Sequence, residues 1–198
     1  MVHHHAFHTD IQKMYNKVWL HPSHWRYQLY LFSKGLNVGD IPEWKVIKTL
    51  IYGVRPSGGL AECGLRKTVE LCKSEFPLAH DPIMHNTYMD DCASGSASAA
   101  LSHHIMDEIE CSLNKGGFTT KGMTETGKDP LPQLSKDGKS ITVLGFRWFP
   151  QRDIFKLNTG EINFSKKLCG RKSPGAAGVI PLLLTLHHCV IELPRCLI

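Results

Sequence analysis

The chain has 198 residues, 42% hydrophobic and 21% charged, a balance that supports a packed core and argues against wholesale disorder. Lys and Arg number 23 against 18 Asp and Glu, and the resulting +5 charge admits a polyanionic partner without demanding one. The longest nearly uncharged apolar stretch, residues 175–186, is about 12 residues against the roughly 20 of a membrane span, and residues 1–20 lack the apolar core of a secretory signal. In chain order, a short strand is expected to end at Asp10. Residues 25–32 (WRYQLYLF) and 44–52 (WKVIKTLIY) then read as two strands joined by a turn around Gly39 to Pro42. From Ser57, taken as an N-cap, Leu60, Gly64, Thr68, Leu71 and Cys72 mark the face of an amphipathic helix over 58–75. Residues 83–94 resemble a hairpin with acidic residues near its tip. Leu101, Ile105, Ile109 and Leu113 then repeat at i+4 steps, predicting a helix over 98–115 stopped by Gly116-Gly117. Residues 141–149 (ITVLGFRWF) read as one late strand. Hairpins mixed with helices in this order predict an α+β fold, an antiparallel sheet with helices packed on one face. After about residue 165 a basic cluster (Lys166, Lys167, Arg171, Lys172) gives way to an apolar end, so a main domain over 6–165 and a tail over 166–198, of aberrant character, are expected.

Chemistry-bearing residues are few. Seven cysteines, Cys63, Cys72, Cys92, Cys111, Cys169, Cys189 and Cys196, form no C-x-x-C pair and read as free thiols of a reducing compartment. The run His3-His4-His5 with His8 reads as a tag-like or chance cluster, and His21, His24, His103 and His104 lack Cys or Glu at zinc-site spacing. No phosphate-binding glycine loop or G-x-S-x-G element occurs. The informative spot is Asp90-Asp91. Adjacent carboxylates repel, and they are comfortable where a cation sits between them or solvent covers both. Alone, the pair reads as an ordinary turn. A third carboxylate, Asp10, lies at the end of the first strand, and oxygen ligands from two strands can hold two Mg2+ ions about 3.5–4 Å apart.

Five segments then carry a resemblance: Asp10 to Tyr15 (DIQKMY), Tyr52 to Ala61 (YGVRPSGGLA), Tyr88 to Asp91 (YMDD), Gly116 to Lys121 (GGFTTK) and Leu144 to Phe146 (LGF). In this order they resemble motifs A to E of the reverse-transcriptase palm, with wording nearest to the BEL/Pao class of LTR retrotransposons, over about residues 6–170. The resemblance implies a palm fold and RNA-directed DNA polymerase activity, in which a primer 3′-hydroxyl attacks a nucleotide with the help of two Mg2+ ions, or Mn2+ in their place. By that resemblance Asp10, Asp90 and Asp91 are catalytic metal ligands, Asp91 nearer to a supporting role, and the Ile11 carbonyl completes the metal shell. Tyr15 is the bulky residue that excludes a ribose 2′-hydroxyl, and Lys121 assists pyrophosphate departure. Tyr52, Gly53 and Ser57 support the nucleotide and template base, with Tyr88 and Met89 beside them; Gly58 departs from the family's usual proline. Apart from the resemblance, Tyr15 reads as a buried aromatic and Lys121 as a surface lysine. The implied partners are an RNA or DNA template with its primer and deoxynucleoside triphosphates, with no membrane, in the cytoplasm or in virus-like particles there. Because the segment before Asp10 is short, the fingers are expected to be missing and the thumb partial. Two other readings stay open: an inactive or domesticated remnant serving as a nucleic-acid or protein interaction module, and a metal-independent binding domain whose acidic hairpin is structural. For the isolated chain, weak salt-dependent nucleic-acid binding and slow or absent extension are expected.

Overall fold

The computed structural model describes residues 3–35 and 41–157, which divide into two compact units, His4–Met123 and the residues from Thr124 onward together with His3. The proposed boundary at residue 165, the tail, and the first half of the turn expected around Gly39 to Pro42 lie outside the described residues.

The first unit is built on a four-stranded sheet of order β4-β5-β1-β6. Strand β1 (His5–Ile11) runs antiparallel to β5 (Asp91–Ser96), which pairs in turn with the two-residue β4 (Thr87–Tyr88). Strand β6 (Thr120–Glu125) flanks β1, and the Thr9 hydroxyl donates to the Gly122 carbonyl at 2.9 Å. Alternation along β1 gives the sheet two different faces. Phe7 and Ile11, with Cys92 of β5, enter the apolar core beneath helices α2 (Ser57–Cys72), α3 (Pro77–His85) and α4 (Ala99–Lys115). His8 and Asp10 lie on the opposite face. A short helix α1 (Met14–Lys17) follows β1 and buries Met14 in the same core. The architecture is α+β, as the element order predicts.

Several local expectations need correction. Helix α4 forms as read, with the Ser98 hydroxyl accepting from the Leu101 N–H at 3.3 Å and Ile105, Ile109 and Leu113 buried, but Leu101 stays exposed. Helix α2 buries Ser57, Ala61, Leu65 and Val69 instead of the face marked by Leu60 and Leu71, both of which are exposed. Gly64, at the edge of the buried stripe, allows a close approach to α1: a Cβ there would lie 3.2 Å from Val18 Cγ2. Ser57 is the first residue of the helix, not its cap, and it accepts no capping hydrogen bond; Pro56 holds the cap position. Residues 83–85 belong to α3, so the hairpin is shorter than expected, Thr87–Ser96; Pro77 at the start and Pro82 inside disguise that helix in the sequence. Residues 25–28 form the end of a 3-10 helix (Pro22–Gln28), leaving β2 (Leu29–Phe32) to pair with β3 (Glu43–Val46) as a two-stranded ribbon. All four residues of β2 are exposed.

In the second unit the single strand expected over 141–149 is a hairpin. Strands β7 (Ile141–Val143) and β8 (Phe146–Phe149) are joined by Leu144-Gly145 with φ of 48° and 86°, the paired positive values that a tight two-residue turn requires. Strand β9 (Ile154–Leu157) completes a three-stranded sheet around buried Trp148, whose ring stacks on Phe155 at 5.9 Å. Arg147 and the turn residues Ser135 to Ser140 converge on the Asp137 carboxylate, whose pKa is held far below the ordinary range by the Lys139 and Ser140 amides. Among the described residues no helix is long and apolar enough to cross a membrane, and Cys63, Cys72, Cys92 and Cys111 carry free thiols.

Candidate active site

The antiparallel register sets the carboxylates side by side. Asp10, near the end of β1, is the direct cross-strand partner of Asp91, the first residue of β5. Directly opposed residues share a face of the sheet, so the two project to the side away from the helices. The Ile11 N–H donates to the Asp90 carbonyl at 2.8 Å, which pins the tip of the hairpin onto β1. Met89, in that tip, has φ of 54°, a left-handed conformation rarely adopted by a non-glycine residue. Ile11 itself is fully buried in the core, so only its backbone belongs to the site.

Among the described residues, a lysine pairs directly with the acidic cluster. Lys121 of β6 donates to Asp10 Oδ2 at 2.8 Å. That bond, with the field of the three carboxylates, raises the pKa of the lysine. The other oxygen, Asp10 Oδ1, is buried and accepts no hydrogen bond. Asp90 has its pKa raised first by loss of water and then by the charges of Asp10 and Asp91, with Lys121 acting in the opposite sense. A carboxylate pair short of positive charge, with an orphaned buried oxygen, suits a hard divalent cation. Among the described residues no three His, Cys, Asp or Glu side chains form a ready-made metal cage. Mg2+ does not need one, because it commonly takes one or two carboxylates and completes its shell with phosphates and water.

Beside the cluster stands an aromatic wall. The rings of Tyr15 and Tyr52 lie 4.4 Å apart between centroids, and the Tyr15 hydroxyl donates to Met89 Sδ at 3.7 Å. Burial raises the Tyr52 pKa, and the Asp90 carboxylate adds to the effect, which places this phenol within the field of the acidic group. Gly58 fits against the same wall: a Cβ there would meet Met89 Cε and the Tyr15 hydroxyl at 3.5 Å, an ordinary contact. Gly53 has φ of 86°, a conformation that glycine supplies cheaply. Tyr88 and Tyr52 are exposed. Ser57 is not a surface group: it is buried, and its hydroxyl has no partner.

Of the residues singled out in the sequence, Asp10, Asp90, Asp91, Ile11 and Lys121 thus gather in one place, with Tyr15, Met89 and Tyr52 beside them. One participant was missed. His8, read in the sequence as part of a tag-like run, is buried, and its Nε2 lies 3.0 Å from Asp91 Oδ1. Its spacing of two from Asp10 on a strand was the available signal, since that spacing puts both on one face. No family model and no curated protein sequence matches the chain.

Proposed function

We propose that the chain carries the palm of a reverse transcriptase and takes part in RNA-directed DNA synthesis, as the order and wording of its five motifs suggest. The observation that carries this reading is the meeting of Asp10 with the Asp90-Asp91 pair, 80 positions away in sequence, through the Asp10–Asp91 register and the Ile11–Asp90 backbone bond, with Lys121 and the Tyr15–Tyr52 wall around them. In the reaction a primer 3′-hydroxyl loses its proton and attacks the α-phosphorus of a deoxynucleoside triphosphate; the new phosphodiester forms as pyrophosphate leaves. Asp10, Asp90 and the Ile11 carbonyl would hold two Mg2+ ions, whose charge would favour both the attacking and the leaving oxygens. The residues of the chain do the rest. Lys121 brings a proton and a positive charge to the edge where pyrophosphate departs. Tyr15 stands where a bulky ring would exclude a 2′-hydroxyl, and the exposed Tyr52 ring offers a surface to the nucleotide.

A second reading has its own support. Lys121 already neutralises Asp10, so the cluster is also stable without a metal, as in a palm retained only as an interaction module. Mn2+ titration followed by electron paramagnetic resonance, with and without template, primer and deoxynucleotide, tests the first. Binding that is lost in Asp10→Asn and Asp90→Asn is expected of the chain itself, and primer extension that depends on Asp90 is expected in a full-length polymerase context. Equal Mn2+ binding by the native chain and both variants would overturn it, and metal binding without any extension in the full-length context would favour the module.

A further inference from the structure

The face of the sheet that carries the carboxylates also buries a histidine. His8 is 3% exposed and sits two residues before Asp10 on β1, diagonally across from Asp91 on β5. An ionised carboxylate only accepts, so at 3.0 Å the Nε2–H of His8 donates to Asp91 Oδ1. The other ring nitrogen, Nδ1, is buried with no partner. An orphaned buried nitrogen is a cost that an apolar residue of similar volume would not incur. Packing alone therefore does not account for a histidine here; its bond to Asp91 does.

That bond separates the roles of the two adjacent carboxylates. Asp91 is tied sideways to β1, while Asp90, one residue earlier, stays in the turn whose carbonyl is pinned by the Ile11 N–H. The turn includes Met89 in a left-handed conformation and needs anchors on both sides to persist. We infer that His8 is a positioning residue: through its hydrogen bond to Asp91 it fixes the Met89-Asp90 turn and holds the Asp90 carboxylate beside Asp10, leaving Asp91 a structural anchor and not a metal ligand. For the metal this inference rests on the function proposed above; for the turn it stands independently.

The test uses the 198-residue chain with His8→Leu, which keeps volume and removes the donor, and His8→Gln, whose amide nitrogen reaches about as far as Nε2. Hydrogen exchange of the Ile11 amide reports the pinned turn directly. His8→Leu is expected to speed that exchange about tenfold and to weaken Mn2+ binding by a similar factor, with His8→Gln restoring both toward native values. In an Asp91→Asn background, His8→Leu is expected to add little, because the bond it removes is already weakened. A folded His8→Leu chain with native Ile11 exchange, or failure of His8→Gln to recover it, would overturn the inference. A native chain that binds no Mn2+ while the exchange results hold would refute the proposed function and leave His8 as the anchor of the turn.

Discussion

Gly116 offers a sharp test of how the helices close behind the site. It caps α4 with φ of −84° and ψ of 2°, a conformation open to alanine, and its N–H donates to the Leu113 carbonyl at 3.0 Å. On backbone grounds Gly116→Ala should stabilise the chain by about 0.4–1 kcal/mol, by narrowing the unfolded ensemble. Its surroundings predict the opposite. A Cβ at Gly116 would fall 2.5 Å from Thr68 Oγ1 and 3.0 Å from Thr68 Cβ on α2. Thr68 cannot swing away freely, because its hydroxyl donates to the Gly64 carbonyl at 3.0 Å. Overpacking of this kind costs about 1–3 kcal/mol, so the net expectation is a loss of about 1–2 kcal/mol. With a urea m-value of about 1–3 kcal/mol per molar, the unfolding midpoint should move down by roughly 0.3–2 M at unchanged slope. Thr68→Ala removes Oγ1 and Cγ2 and should recover most of the loss in the double variant, giving a coupling of about 1 kcal/mol. Gly116→Ala as stable as the native chain, or strict additivity with Thr68→Ala, would refute the close approach of α4 to α2.

Other consequences concern the acidic site. Lys121→Met removes the cation that occupies Asp10 Oδ2, so Mn2+ should bind roughly twofold to fivefold more tightly in paramagnetic resonance titrations; weaker binding would count against a metal at Asp10. The Asp90 pKa lies above its unfolded value, so the folded chain binds the proton more tightly and loses stability as pH rises from the unfolded value through the raised one. In metal-free buffer, Asp90→Asn should therefore be the more stable chain at pH 7, by under about 1 kcal/mol because the group is only partly buried and solvent screens it, and that advantage should fade in acid; a pH-independent difference in urea midpoints would contradict it. In a full-length polymerase context, Tyr15→Ala should reduce the preference for deoxynucleotides over ribonucleotides on the order of tenfold in single-nucleotide incorporation, and an unchanged ratio would return Tyr15 to a packing role against Tyr52.

What could be read in advance depended on how local the signal was. Helix α4 announced itself through Ile105, Ile109 and Leu113 at i+4 steps and a Gly116-Gly117 stop, all within its own sequence. The meeting of Asp10 with Asp90 and Asp91 came from the motif resemblance; no property of residues 80 apart would have paired them. Helix α2 was found but rotated, because the i, i+4, i+8, i+12 stripe that faces the core starts at Ser57 and runs through Ala61, Leu65 and Val69, and its first two residues are not strongly apolar. Helix α3 was concealed by Pro82, and β6 by its polar composition (TKGMTE) beside β1. In ITVLGFRWF the apolar run concealed a turn that only the backbone angles of Leu144 and Gly145 reveal. His8 was obscured by the histidines before it, which drew it into a compositional reading when its strand position mattered.

The pairing of Asp10 with Asp91 has a consequence for how this chain can vary. Strand pairing moves in whole residues, and a slip by one carries every side chain of β1 to the opposite face. His8 and Asp10 would then turn toward the helices, while Phe7, Thr9 and Ile11 would come out among the carboxylates. The site cannot degrade by small degrees along that coordinate. Substitutions in β1 can be sampled one at a time and judged on their own effects, but a single inserted or deleted codon between His5 and Asp10 would tend to dismantle the core and the acidic cluster together. The ladder of β1 on β5 thus acts as a reading frame in three dimensions.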